Sequence, residues 1–297
     1  MKTPSDQLSH HQLNYGYAAA LPVDGDSHMR GKPALIVLTS PRRSGYYEQT
    51  LALLDEAGGA ALPRMLFVDG PASPDSIKAH SPWGPPGGQY TRLAPPEWIV
   101  RSCYTGESRG GIWGGTKMAM VNVLRWAADV GVSDLYYFED DVLTSKNAVR
   151  AMQAVNVPDD CAFLSFCDIK WLGGNDKTPA IRRFAGFDEV DGTGHWGNQA
   201  LKIPQATLQY LRSSQLPLWH YRYGSDVLLS IMVAHGPSPW KSYGVVAPSL
   251  VQHVGLNSLV CPNGPQRGLG REAANFIGED VDALSVVDQI NRSPGPM

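Results

Sequence analysis

Three consecutive carboxylates, Glu139-Asp140-Asp141, follow directly on the apolar aromatic run Leu135-Tyr136-Tyr137-Phe138. Buried parallel strands read as short continuous hydrophobic runs, and open α/β sheets bind ligands just beyond the carboxyl ends of such strands. Adjacent acids repel one another unless something positive is shared among them. A hard divalent cation is the natural partner, and Mg²⁺ or Mn²⁺ commonly brings phosphate oxygens into its shell. The same acids also suit a surface turn, or the first turn of a following helix where the dipole favours them. A cation here points to a diphosphate-linked donor, because a metal bridging two phosphates neutralises charge that develops on a leaving nucleotide.

Base and ribose need further donors near the end of the first strand, and Thr39, Ser40 and Arg42 stand there. Arg42 with Arg43 reads equally as a solvated turn. Arg109, Gly110, Gly111 and Lys117 precede and enter the helix before the acidic strand. Glycines permit close backbone approach and a helix amino terminus attracts anions. Their spacing matches neither a P-loop nor a dinucleotide fingerprint, so a loop with Lys117 on the wet face of an ordinary helix is the plainer reading.

The elements that must hold these residues alternate between strand and helix. Ala34–Leu38 reads as a strand, Gly45–Ala57 as a helix stopped by Gly58-Gly59, and Met65–Gly70 as a second strand. The stretch 71–96 is rich in Pro, Gly and Ser and predicts a long loop of functional or mobile character. Gly114–Val130 is a strong helix closed by Gly131, and the acidic strand follows at once. Ser145–Val155 (helix), Cys161–Phe166 (strand), Gln199–Ile203 (strand), Gln205–Arg212 (helix opened by Pro204), a helix from Gly224 to Ala234 and Tyr243–Val246 (strand) continue the pattern. Pro248–Gly255 is expected to be a loop. The alternation predicts one α/β sandwich with an added carboxyl-terminal half. Residues 1–31 read as a flexible amino-terminal arm, 32–262 as the folded domain and 263–297 as a loosely held tail.

The bulk numbers bound the answer. The chain has 297 residues, 43% hydrophobic and 18% charged, enough for a sizeable core and against global disorder. With 25 Lys and Arg against 28 Asp and Glu the net charge is −3, without the basic field of a nucleic-acid binder. No apolar run is long enough to span a bilayer, and the polar amino terminus lacks a secretory core. Cys103, Cys161, Cys167 and Cys261 form no CxxC pair, which favours reduced structural thiols and a cytoplasmic setting.

With the acidic strand in place the chain resembles a family. Glu139-Asp140-Asp141 is similar to the metal-binding DxD-type signature of GT-A-fold, nucleotide-sugar-dependent glycosyltransferases, here in an EDD variant. Pro248-Ser249-Leu250-Val251-Gln252-His253-Val254-Gly255 resembles the carboxyl-terminal loop of the family IV N-acetylglucosaminyltransferases that branch N-glycans. The resemblance spans Ala34 to Gly255 at low identity and rests on short motifs in the right order. It implies a GT-A-like, Rossmann-like mixed sheet, mostly parallel and flanked by helices, in a catalytic domain over 32–262 with a nucleotide-binding half at 32–142 and an acceptor half at 143–262. It further implies a nucleotide-sugar donor, UDP-linked by preference, and Mn²⁺ or Mg²⁺ held by Asp141 and His253. Glu139 and Asp140 would contact ribose, metal-bound water or sugar. Asp226, at the helix start Gly224-Ser225-Asp226, would be the general base of an inverting transfer. Trp196, Gly197 and Gln199 would line the sugar and acceptor pocket, with Trp171, Trp219 and His220 as further contributors.

Each role has an ordinary counterpart: His253 as a surface loop residue, Asp226 as a helix cap, Trp219 as core. Two other functions use the same residues. A nucleotidyltransferase or phosphohydrolase would employ the carboxylates on phosphates, usually with a second metal; Asp168, Asp176, Asp188 and Asp191 are available but form no recognisable cluster. A catalytically inactive glycan-binding protein would keep the fold alone.

Overall fold

In the computed structural model the described residues are 24–39, 46–68, 97–102, 111–168, 180–185, 198–213, 229, 233, 240–254, 273 and 275–292, without the side chains of 24, 25, 101, 102, 111–118 and 213. The strands are β1 (Ala34–Thr39), β2 (Arg64–Val68), β3 (Ile99–Ser102), β4 (Asp134–Glu139), β5 (Val142–Thr144), β6 (Cys161–Ser165), β7 (Ile181–Phe184), β8 (Ala200–Pro204), β9 (Ser242–Val246) and β10 (Val251–His253). The α-helices are α1 (Tyr46–Glu56), α2 (Gly111–Val130), α3 (Ala148–Ala154), α4 (Gln205–Ser213) and α5 (Leu284–Arg292).

An eight-stranded sheet runs in the order β3-β2-β1-β4-β8-β6-β9-β7, and β10 pairs with β5 in a separate two-stranded ribbon. Neighbours β3-β2, β2-β1, β1-β4 and β6-β9 are parallel, whereas β8 and β7 run against their neighbours. This is the expected α/β architecture, a mostly parallel sheet flanked by helices. The directions have one consequence for function. The carboxyl ends of β1, β4, β6 and β9 share a single edge with the amino ends of β7 and β8.

The apolar runs work as strands because both sheet faces are covered. Leu35, Val37, Tyr136 and Phe138 face a cluster that includes Leu51 and Leu54 of α1, Val149 and Met152 of α3, and Val287 and Ile290 of α5. Ile36, Leu135 and Tyr137 face the other way, onto Val121, Leu124 and Ala127 of α2 and Leu208 and Leu211 of α4. Side chains alternate across a strand, so a continuous run feeds both layers, at roughly 1.5–3 kcal/mol for each fully buried large apolar side chain. Gly131 closes α2 as expected. Its φ of +83° is a left-handed conformation, and Val132 N–H donates back to Ala127 O at 3.0 Å. Lys202 of β8 reaches beneath α3 and donates to the carbonyls of Met152, Gln153 and Val155 at 3.1, 3.2 and 2.7 Å. Burial lowers its pKa, with the Asp134 carboxylate opposing.

Three expectations are corrected. Pro248–Gly255 is not wholly loop, since Val251–His253 is strand β10. The short strands β3, β5 and β7 add to those foreseen. Within the stretch expected to be a loose tail, residues 275–292 lie against the core: Ala283 and Ile290 are buried and α5 packs on α3. Two apolar residues a helical turn apart, Val287 and Ile290, give α5 the narrow stripe it buries.

Candidate metal centre

The centre forms where β4 leaves the sheet. Glu139 is the last residue of β4, and its N–H donates to Gln199 O at 3.1 Å, just before β8. Asp140 and Asp141 then bend away into β5. The buried hydroxyl of Thr50 in α1 splints that bend: Oγ1 lies 3.0 Å from both Asp140 O and Val142 O and accepts the Val142 N–H at 3.2 Å. Thr39 Oγ1, at the end of β1, donates to Asp140 Oδ2 at 2.5 Å.

The ribbon brings in the histidine. Its register sets His253 opposite Val142, and Val254 N–H donates to Asp141 O at 2.9 Å. A residue far along the chain is thereby clamped beside the acidic bend. His253 Nε2 lies 3.4 Å from Asp141 Oδ2. Glu139, Asp141 and His253 each offer one ligand atom, and these atoms all lie within 4.8 Å of one another. Among the described residues this is the one such group of three or more potential ligands.

The donor set fits a divalent cation. Asp141 and His253 are both buried, at 6% exposure each, and His253 Nδ1 is a buried nitrogen with no hydrogen-bond partner. A buried carboxylate and a buried imidazole, beside the half-buried carboxylate of Glu139, cost free energy that a shared dication offsets. Carboxylates suit Mg²⁺ and Mn²⁺, and an imidazole shifts the preference toward the transition metal. Cys167 is buried close to these groups. Burial pushes its thiol pKa up strongly, and the nearby Glu139, Asp168 and Asp141 carboxylates push the same way, opposed by a hydrogen bond from the His253 backbone.

Behind Cys167, Asp168 is fully buried and ion-paired with Arg182 of edge strand β7. Burial raises its pKa, and Arg182 pulls it back. Its N–H donates to Ser249 Oγ at 2.8 Å, which ties the end of β6 to the segment leading into β10.

The structure thus brings together Asp141 and His253, the two expected ligands, and adds Glu139 to them. Thr39 and Asp140, expected on the nucleotide, bond to each other and are both buried. Gln199, expected in the sugar pocket, lies beside Glu139, with its Nε2 3.3 Å from Glu139 Oε2. Lys117 lies within α2, and nothing is described of its side chain. Ser40, Arg42, Arg109, Trp171, Trp196, Gly197, Trp219, His220 and Asp226 lie outside the described residues, as do Asp176, Asp188 and Asp191. Sequence reasoning missed Thr50 and Cys167. A threonine within a helix and a cysteine at a strand end give no signal of their own. Cys161 and Cys167 are both free and buried, and no helix among the described residues is long and apolar enough to cross a membrane.

No family model matches the chain, and no curated protein matches it. Among solved structures it is similar to the crystal structure of mannose-1-phosphate geranyltransferase from Thermus thermophilus, at 15% sequence identity with a TM-score of 0.39, over 72% of this chain and 73% of that one. At that identity and with so loose a superposition, nothing about reaction or substrate passes from that protein to this one.

Proposed function

We propose that this protein is a metal-dependent glycosyltransferase that moves a sugar from a nucleotide diphosphate donor, UDP-linked by preference, to an acceptor hydroxyl. The observation that carries this reading is the convergence of Glu139, Asp141 and His253 at the carboxyl edge of the sheet, where open α/β folds bind their ligands. Mn²⁺ or Mg²⁺ held there supplies charge neutralisation at the leaving diphosphate. Within this proposal 32–142 is the nucleotide half, with Ser40, Arg42, Arg109 and Lys117 on base, ribose and phosphate. Residues 143–262 form the acceptor half, where Trp196, Gly197 and Gln199 line the sugar pocket. Asp226 accepts the proton as the acceptor oxygen bonds to the anomeric carbon and the carbon–oxygen bond to the diphosphate breaks. The kinship proposed is with the family IV N-acetylglucosaminyltransferases, on the segment around His253.

The test is product analysis with UDP-, GDP- and CMP-sugars in the presence of Mn²⁺. Release of a nucleoside diphosphate together with a glycosylated acceptor is expected. Release of a sugar 1-phosphate from the donor, or of pyrophosphate when a nucleoside triphosphate and a sugar 1-phosphate are supplied instead, would replace the proposal with nucleotidyl transfer, which the same residues would also serve. Asp141→Ala is expected to abolish product formation and Mn²⁺ binding while circular dichroism remains that of the wild type. Full activity in that variant would remove the metal from the reaction.

A further inference from the structure

We infer that Gln199 is a positioning residue of the metal centre, holding the Glu139 carboxylate in the orientation that ligation needs. The inference rests on the metal reading of Glu139, Asp141 and His253 and assigns Gln199 a task distinct from touching sugar.

The two residues face each other across adjacent strands. Phe138 of β4 is paired with Ala200 of β8, so the next pair outward is Glu139 with Gln199. Directly opposed side chains on one face of an antiparallel pair are in reach of each other. The backbone bond from Glu139 N to Gln199 O, 3.1 Å, fixes the separation, and Gln199 Nε2 donates to Glu139 Oε2 at 3.3 Å. Gln199 is buried, at 1% exposure. Its amide therefore has little freedom to swing to another partner. Anchoring one oxygen of a carboxylate fixes the plane of the group, and with it the direction in which the other oxygen presents its lone pairs.

The residue type matters as much as the place. A lysine or arginine at 199 would bring its own positive charge to Glu139 and compete with a dication for it. A glutamine donates a hydrogen bond with no net charge, so the acid stays fully anionic for the metal. Partners of this kind orient metal-binding side chains, and losing one typically costs about 10–100-fold in metal affinity. The other end of the amide, Oε1, is buried without a hydrogen-bond partner. With one N–H of Nε2 directed at Glu139, the amide keeps its second N–H and the Oε1 acceptor for other contacts.

Mn²⁺ titration of the full chain by calorimetry tests the inference. In Gln199→Met, which keeps the length and loses the donor, affinity is expected to fall about 10–100-fold, with the metal-free melting temperature close to wild type. Gln199→Asn, one methylene too short to reach, provides a second and polar variant should methionine perturb folding, and the same loss is expected. A double-mutant cycle separates positioning from general packing. Once Glu139→Gln has weakened the site, adding Gln199→Met is expected to cost nothing more. Unchanged affinity in both single variants, or fully additive losses in the cycle, would overturn the role of Gln199 while leaving the metal centre standing. A wild-type chain that binds no Mn²⁺ would overturn the metal centre and this inference with it.

Discussion

The metal centre draws its ligands from two regions held by very different means. Glu139 ends a central strand of the eight-stranded sheet, with β1 bonded on one side and β8 on the other, and helices on both faces. His253 ends β10, a three-residue strand paired, among the described residues, with the equally short β5. Isolated hairpin-sized pairs are marginal in water. The ribbon persists because the carboxyl-terminal segment braces it. Lys146 N–H, just past β5, donates to Glu279 O at 3.1 Å, and Ala283 N–H returns a bond to Lys146 O at 2.9 Å. On the β10 side, Ile277 N–H donates to Ser249 O and Ala273 N–H to Gln252 Oε1, both at 3.2 Å. One ligand is therefore fixed by the main core, and another by a small ribbon that depends on a terminal brace. Ligand-binding elements are commonly drawn from the less stable parts of a fold.

Substitutions can separate the two regions. The largest effect is expected in the sheet, outside the ribbon. Phe163 is fully buried on the α2 face and stacks on Tyr243 with ring centroids 5.0 Å apart. Phe163→Ala is expected to cost about 3–5 kcal/mol in urea unfolding, yet to leave the Mn²⁺ affinity of the folded fraction unchanged. A loss of affinity matching the loss of stability would mean that sheet and ribbon do not act separately. Ile290→Ala attacks the brace instead. Ile290 is fully buried under α5, but a terminal helix can settle into the space left, so about 2 kcal/mol is expected, the low end for such truncations. Here Mn²⁺ affinity should fall as well, because a loosened α5 loosens the segment that supports β10. A stability loss of that size with unaltered affinity would show that the ribbon stands without its brace.

How much of this was legible in the sequence follows the same division. The central strands were readable because both of their faces are buried, so Leu135–Phe138 and Ala34–Leu38 stand out as unbroken apolar runs. The acidic bend was readable because three carboxylates together demand a reason. The ribbon was not, since three residues are too few to display a strand period, and Val251-Gln252-His253 sits between Pro248 and Gly255 in what composition marks as loop. Resemblance alone connected His253 with Asp141; no local spacing relates two residues so far apart. β7 was hidden by Arg182 and Arg183, whose charges are answered by Asp168 and Asp160 at the sheet edge. The brace was hidden by averaging, because the Gly, Pro and acidic residues around it diluted the short apolar stripe of α5. Gln199 stands out only through the resemblance, as lining of the sugar pocket, and its pairing with Glu139 exists only through the β4–β8 register.

The smallest expected effect gives the sharpest comparison, because it touches the brace through a single side chain. Asn275 Oδ1 accepts from both Ser249 N, at 3.2 Å, and Ser249 Oγ, at 3.1 Å. Ser249 Oγ in turn accepts the Asp168 N–H at 2.8 Å. Asn275→Ala removes one acceptor shared by two donors, while the Ser249 N–H keeps its second bond to the Asn275 carbonyl at 3.2 Å. A net cost of about 1 kcal/mol is expected, a shift of about 2 °C in melting temperature for a chain of this size. So small a change is hard to interpret from a melting curve alone, and hydrogen exchange resolved by residue is the better measurement. Faster exchange is expected at the amides of Ser249 and Asp168 and through Val251–His253, with the amides of β1, β4 and β6 unchanged. Equal acceleration in the central strands would mean that the brace supports the whole fold, and that ribbon and sheet open as one unit.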